Sequence, residues 1–545
     1  MERDDDDERP SRFGRRVWLR ASTAVGVAAL VPGCDAPAPV EGDAGPADGG
    51  APVTPDAGAP IPPAPRTYAT FEHGVASGDP LPDAVILWTR VTPGMPGEPD
   101  PGSIEVSWEI ATDAAFASVV ASGATSTDAS RDFTVKVDAT GLAAGTTHYF
   151  RFASRGDTSP VGRARTAPSD AIDHLRFAVC SCASLAHGWF HAYRQIAARA
   201  DLDAVLHLGD YIYEYGTREY GRVRAYEPDH EIVTLDDYRL RYSLYRRDPD
   251  LQEAHRQHAF VHVWDDHETA NNAYREGAEN HQEDEGSWSD RLAFARQAFY
   301  EWLPIREDAE GKLWRKLAFG ELVDLIVLDA RVWGREEQGS EPDQLLGADQ
   351  EAWLLDQLRT SSAQWKVVAQ QVVMAQWSGF TNEDAWDGYP DARARLFSVL
   401  RTESIEDVVV LTGDIHSSWA MDLTEDPTDE SAYDPATGQG SLAVEIVTPA
   451  VTSPGFLGLL ERVAQTIAGN NRHIHWADGA ARGYVVLDLK PDRAHADWFH
   501  VGDVEAREET GEVHAAAYAT ETGAKHLEAQ AAPAPPRAAA PALAP

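Results

Sequence analysis

Asp265-Asp266-His267-Glu268 sets three acids and a histidine in a row directly behind an apolar run. Such a concentration of ionisable groups beside a buried segment is costly unless a cation compensates it. Gly413-Asp414-Ile415-His416 repeats the theme, with an acid and an imidazole on the same side of an extended turn. Gly209-Asp210-Tyr211-Ile212-Tyr213-Glu214 and Cys180-Ser181-Cys182 bring carboxylates, phenols and thiols to similar positions. One Asp after a strand is more often a turn former or a helix cap. Coincidence at all of these ends is much less plausible than a shared metal centre, whose cations would also lower the pKa of bound water.

Those groups need elements that bring them together. Leu175–Val179, Ala204–Leu208, Ala259–Trp264, Leu325–Leu328 and Val408–Thr412 are near-continuous apolar runs, as expected of strands buried on both faces. Helical spacing lies between them. Over 188–199, Phe190, Tyr193, Ile196 and Ala197 share a face; over 288–302, Trp288, Leu292, Ala295, Phe299 and Trp302 do the same. Strands alternating with helices predict a layered α/β domain, with ligands bound outside the carboxyl ends of the strands. That domain is expected over 169–505, with an extension over 506–530. From Phe71 to Ala167 the pattern differs. Short period-2 runs such as Ala84–Thr89, Ile104–Ile110, Phe133–Val137 and His148–Phe152 predict an antiparallel β-sandwich over 68–168. Gly141-Leu142 with Thr147-His148-Tyr149 resembles the tyrosine corner of a fibronectin-like module. No metal-ligand spacing occurs in this part.

Composition narrows the functions available. The chain has 545 residues and a net charge of −41, with 43% hydrophobic and 25% charged residues, an ordinary globular balance. The strong negative charge argues against specific nucleic-acid binding, which relies on clustered Lys and Arg. An anionic substrate would have to be drawn by bound cations rather than by side-chain charge. Three cysteines in a chain of this size form no disulfide framework. Arg15-Arg16 before the short apolar stretch Ala21–Val31 resembles a twin-arginine export signal, too short to span a bilayer. Val31-Pro32-Gly33-Cys34 resembles a lipoprotein cleavage box. Residues 1–34 are therefore expected to be an export signal recognised by the twin-arginine machinery. Cys34 becomes either a lipidated membrane tether or the neighbourhood of an ordinary cleavage site. The destination is the periplasm, the cell surface or the medium. Residues 35–67 and 531–545, rich in Ala and Pro, are expected to be an extended tether and a disordered tail.

Taken together, the motifs resemble the PhoD-type alkaline phosphatases, a branch of the calcineurin-like metallophosphoesterase architecture. The resemblance rests on Phe71–Pro80, Ser181-Cys182, His207–Glu214, Trp264–Glu268 with Asn271-Asn272, Ala385–Pro390 and Gly413–His416. It implies a metallophosphoesterase-type sheet core flanked by helices, a phosphate-ester substrate and a cluster of Fe(III) and Ca(II). The residue chemistry agrees: a Cys182 thiolate, a Tyr213 phenolate and an Asp210 carboxylate suit a ferric ion, and hard oxygen ligands suit calcium. Asp266, Asn272, Asp414 and His416 complete the candidate ligand set, with Asp265 competing with Asp266. Ala385 stands where the family commonly has a polar residue, and no role is carried onto it. His267 is the candidate to protonate the leaving alkoxide or to bond the phosphate, with an outer-shell partner of Asp266 as its other reading. Arg331 either contacts phosphate or pairs with Asp329. Cys180 is expected to pack as a small hydrophobe. His473 and His475 invite a metal reading but lie far in sequence from the strand-end motifs, and are expected to be substrate-cleft or structural residues. The expected activity is hydrolysis of phosphate monoesters and diesters by metal-activated hydroxide or oxide. A phospholipase D-like preference for phospholipids is the alternative, and a non-catalytic surface-binding lipoprotein is the competing class.

Overall fold

The computed structural model describes residues 59–545 apart from 341–342, 379–380, 456–460 and 509. The expected export signal, Cys34 and most of the expected tether lie outside the described residues. Among those described, no helix is long and apolar enough to cross a membrane.

Two large sheets carry the expected strands. In the first, of ten strands, Leu175–Cys180, Ala204–His207 and Ala259–His262 run parallel side by side. In the second, of seven, Val323–Val327, Trp365–Ala369, Val408–Thr412 and Ser441–Val447 form another parallel block. All of these strands except the rim position Lys366 are buried throughout, which accounts for their unbroken Val, Leu and Ile runs. The two sheets share one apolar core, to which Phe177, Val179 and Leu206 contribute from one side and Leu325, Val367, Val409 and Ile446 from the other. The Phe177 and Phe319 rings meet edge-on at 5.0 Å. At the mouth of this core an isolated parallel bridge joins Ser181 to Ala450, so the carboxyl ends of both blocks open toward one place.

The helices form as their spacing predicts. His191–Ala198 buries Tyr193, Ile196 and Ala197. Trp288–Trp302 starts at Ser287, whose hydroxyl accepts the Asp290 N–H, and buries Ala295, Ala298, Phe299 and Trp302.

The N-terminal sandwich is present, with a difference. A five-stranded sheet that includes Ile104–Ala111 and Thr147–Ser154 packs through Val106, Ile110, Phe150 and Phe152 onto Val85, Leu87, Val135 and Ala139. The last four belong to Ala84–Arg90 and Thr134–Thr140, which extend the ten-stranded sheet. Val75–Gly78 provides the joint, pairing in parallel with Ala259–His262 and antiparallel with Ala84–Arg90. The 168/169 boundary therefore separates two sequence patterns, while hydrogen bonds run continuously across it. Alternation within a strand reports which face is buried; it carries no information about which neighbour completes the sheet edge.

The ends depart further from expectation. Residues 531–545 are a docked strap rather than a disordered tail. Arg537 Nη2 lies 2.5 Å from Asp203 Oδ2, the Ala534 N–H donates to Asp497 at 3.0 Å, and Tyr149 donates to the Ala542 carbonyl at 2.7 Å. Gln257 and Ala544 exchange two further hydrogen bonds of 3.0 and 2.8 Å. The Tyr149 hydroxyl thus serves the strap rather than a corner of its own strand. At the other end, Ile61 bridges to Arg224. Composition suggested disorder because these segments bury little apolar surface; specific polar anchors hold them instead, and composition does not register those.

Candidate metal centre

All the candidate ligands except Asn272 follow shortly after a buried strand. Cys182 follows Leu175–Cys180, Asp210 and Tyr213 follow Ala204–His207, Asp266 and His267 follow Ala259–His262, and Asp414 and His416 follow Val408–Thr412. The turns are tight. Cys182, Asp210, Asn272, Asp414 and His416 all have left-handed backbone, with φ of 61°, 55°, 53°, 63° and 54°. Non-glycine residues adopt this conformation at a cost and concentrate at functional sites. Gly209 lets two turns approach: its φ is 102°, and a Cβ there would stand 2.4 Å from that of Asp265.

The side chains converge. Cys182, Asp210 and His416 each offer one ligand atom, all within 4.8 Å of one another. Asp210, Asp266 and His267 form a second such group, and Asp265, Asp266 and Asp414 a third. Asp210 and Asp266 each recur, so the three groups make one centre. Tyr213 donates to Asp210 Oδ2 at 2.8 Å, with His416 Nε2 3.3 Å from the phenol oxygen. Cys182 Sγ lies 3.9 Å from the Asp414 carbonyl. Between Asp265 and Asp266, it is Asp266 that shares a group with Asp210, while Asp265 is engaged by Arg331 Nε. Asn272 reaches the cluster through its backbone: its N–H donates to Asp266 at 2.6 Å, and its side-chain amide donates to Glu279 at 2.5 Å. Cys180 is fully buried in the core, where burial pushes its thiol pKa up.

Glu214, Glu268, Ser453 and Asp384 carried no role in the sequence. Glu214 lies 2.7 Å from His267 Nδ1, with both side chains fully buried. Glu268 accepts the backbone N–H groups of Asp210, Tyr211 and Asp265, fixing the two acidic turns to each other. Ser453 Oγ lies 2.6 Å from the Tyr213 phenol oxygen and 2.9 Å from the Cys182 carbonyl. Arg331 is fully buried and pairs with Asp265, Asp384 and Asp414, with Asp266 at 3.6 Å. Its relation to Asp329 is through the backbone, since its N–H donates to that carboxylate. The acid that meets Arg331 from the segment around Ala385 is Asp384, immediately before it. Glu214 and Glu268 sit inside the quoted motifs; Ser453 and Asp384 carried no local signal.

The electrostatics favour a cation. One guanidinium faces four carboxylates. Burial pushes Asp414 up to about 8 despite Arg331. Burial, then Asp210, pushes Glu268 up to about 8. Burial and the Asp210 carboxylate drive the Cys182 thiol well above its ordinary range. Burial also works against Asp266, but Arg331, His267 and the Asn272 N–H hold it down at about 2. Asp210 Oδ1 and Asp265 Oδ2 are buried without a hydrogen-bond partner. Added positive charge would relieve this crowding, and a set of thiol, phenol, imidazole and carboxylates offers ligands to both a ferric ion and calcium. The residues therefore fit the implied metals.

Comparison with known proteins decides the family. The model of the PhoD-like phosphatase matches residues 177–498, and that of the PhoD-like phosphatase N-terminal domain matches residues 57–168. The chain belongs to the PhoD-like phosphatase family. It is 37% identical to alkaline phosphatase D of Bacillus subtilis (strain 168) over 464 residues, 78% of this chain and 77% of that protein. A solved structure described as that of PhoD superposes with a TM-score of 0.78 at 34% identity, covering 86% of this chain and 94% of the other. As a PhoD-like phosphatase the chain is a phosphoric ester hydrolase, and the acidic turns described above lie within the matched catalytic region.

Proposed function

We propose that this chain is an exported phosphatase that uses Fe(III) and Ca(II) to hydrolyse phosphate monoesters and diesters. The observation that carries this reading is the meeting of Cys182, Asp210 and His416 from three separate strand ends, each held in left-handed backbone. Asp210, with Cys182, Tyr213 and His416, would hold the ferric ion. Asp266 and Asp414 would complete the calcium side, with the Asn272 N–H holding the Asp266 carboxylate in position. When bound, the ions offset the charge of the phosphate group and make hydroxide available near neutral pH.

The remaining chemistry belongs to the chain. Glu214 at Nδ1 fixes the orientation of the His267 ring, which in this reading passes a proton from Nε2 to the departing alkoxide. The ring centroids of Tyr213 and His267 lie 4.2 Å apart, which supports a proton-donating role for His267 beside the proposed ligands. Glu268 keeps the turns of Asp210 and Asp265 in register, so the carboxylates arrive pre-positioned. Arg331 orients Asp414 and Asp265 and offsets part of their mutual repulsion.

The test is an assay of the purified enzyme on a chromogenic phosphate monoester, a diester and phosphatidylcholine, with and without a calcium chelator. We expect turnover of the first two, lost on chelation and regained with Ca(II). Turnover of phosphatidylcholine alone would replace this reading with a phospholipase. Absence of turnover on all three would overturn it.

A further inference from the structure

His475, singled out above for its metal-binding side chain, lies outside the candidate metal centre in a cluster of its own. Asp422 lies in the strand Ser418–Thr424 of the seven-stranded sheet, and His475 in its antiparallel neighbour Ile474–Asp478. His526 comes from the turn between Glu512–Glu521 and Glu528–Ala529, at the outer edge of the ten-stranded sheet. His526 Nδ1 lies 2.6 Å from Asp422 Oδ2, and His475 Nε2 lies 3.1 Å from Asp422 Oδ1. One ligand atom from each of the three falls within 4.8 Å of the others. The carboxylate is held in place by further donors: the Leu527 N–H reaches Oδ1 at 3.0 Å and the Tyr433 hydroxyl reaches Oδ2 at 2.9 Å. Asp422 is buried, while the side chains of His475 and His526 are 14% and 10% exposed, so the rim opens to solvent.

We propose that Asp422, His475 and His526 bind a divalent transition ion, with zinc the natural occupant, that clasps the edges of the two large sheets together. Two imidazole nitrogens and one carboxylate oxygen are a zinc-type donor set, with a fourth position for the Tyr433 oxygen or a water. The Leu527 N–H orients the carboxylate, the outer support that metal-bound side chains commonly have. Asp422 lies four residues, about 13 Å, along the strand from Ser418, which itself follows the candidate metal centre. The role is therefore structural. Without an ion the same three groups form a polar contact network, and the two states differ in metal content.

Equilibrium dialysis of the enzyme, carrying its catalytic metals, against micromolar Zn(II) tests this, with zinc and iron counted by mass spectrometry. Wild type should take up one more zinc per chain than the double variant His475→Gln/His526→Gln, with iron content and ester turnover unchanged. Zinc should also raise the melting temperature of wild type and leave that of the variant where it was. Equal zinc uptake by the two proteins, or none by wild type, overturns the proposal. Should the double variant fail to fold, wild type alone decides: Co(II) should give the intense visible bands of a four-coordinate nitrogen and oxygen site, and their absence overturns it.

Discussion

Glu214 and His267, 53 residues apart in the chain, meet at 2.7 Å with neither side chain exposed. Burial works against the Glu214 carboxylate, but His267, Asn280 and the Asn271 N–H hold it below the usual carboxylate range. A carboxylate at Nδ1 orients the imidazole, and its negative charge would favour the protonated ring. We predict that Glu214→Gln lowers kcat about 10- to 100-fold and moves the basic limb of the kcat profile to lower pH. His267→Asn should cost about 10²- to 10⁴-fold with that limb removed. An unchanged pH profile in Glu214→Gln would assign His267 to another role.

Tyr213 donates to Asp210 and touches Ser453 and His416. If the phenol oxygen ligates ferric iron, the enzyme is coloured by a phenolate-to-iron band. We predict that Tyr213→Phe loses this band while circular dichroism stays the same. A colourless active enzyme containing only zinc would contradict the iron assignment.

Glu445 tests the framework rather than the chemistry. It is fully buried and accepts the N–H groups of Met374 and Ala375 and the hydroxyl of Thr412, the residue before Gly413 and Asp414. Burial pushes its pKa up from 4.5 to about 7. Between these values the native state keeps a proton that the unfolded chain has released. This contribution to stability is present at low pH, declines as pH rises through the window and is lost above it, on the order of 3 kcal/mol at most. Glu445→Gln should flatten the decline seen in urea unfolding between pH 5 and pH 8. An equal slope in both proteins would show that Glu445 does not carry it.

The proposed export signal centres on Arg15-Arg16, and the proposed lipid tether on Cys34. We predict that Arg15→Lys/Arg16→Lys holds the enzyme in the cytoplasm, and that Cys34→Ala moves it from the membrane fraction to the soluble exported fraction. Unchanged fractionation in the first variant would refute twin-arginine export; in the second, it would refute the lipid tether.

The strand ends were legible in the sequence because their chemistry is local. An apolar run such as Val408–Thr412 that stops at Gly413-Asp414 announces both the buried strand and the polar turn beyond it. Cys182, Asp210, Tyr213, Asp266, Asp414 and His416 could be named on that ground and by resemblance to the PhoD-type phosphatases. Partnership across the fold left no such trace. Nothing around Asp384 or Ser453 signals that one meets Arg331 and the other Tyr213, because those contacts span 53 and 240 residues. The strap at 531–545 escaped for the same reason: Asp203, Asp497 and Gln257 anchor it from distant segments.

By itself the sequence determined which side chains could bind metal and which runs would be buried strands, since hydrophobic periodicity and turn chemistry act between near neighbours. Only the tertiary structure decided which acids share a centre, that Arg331 stands among four carboxylates, that the N-terminal strands extend the catalytic sheet, and that Asp422 gathers two histidines. Those outcomes depend on which surfaces meet when two sheets pack. Coulomb and hydrogen-bond energies are set by distance in space, and sequence separation does not encode that distance.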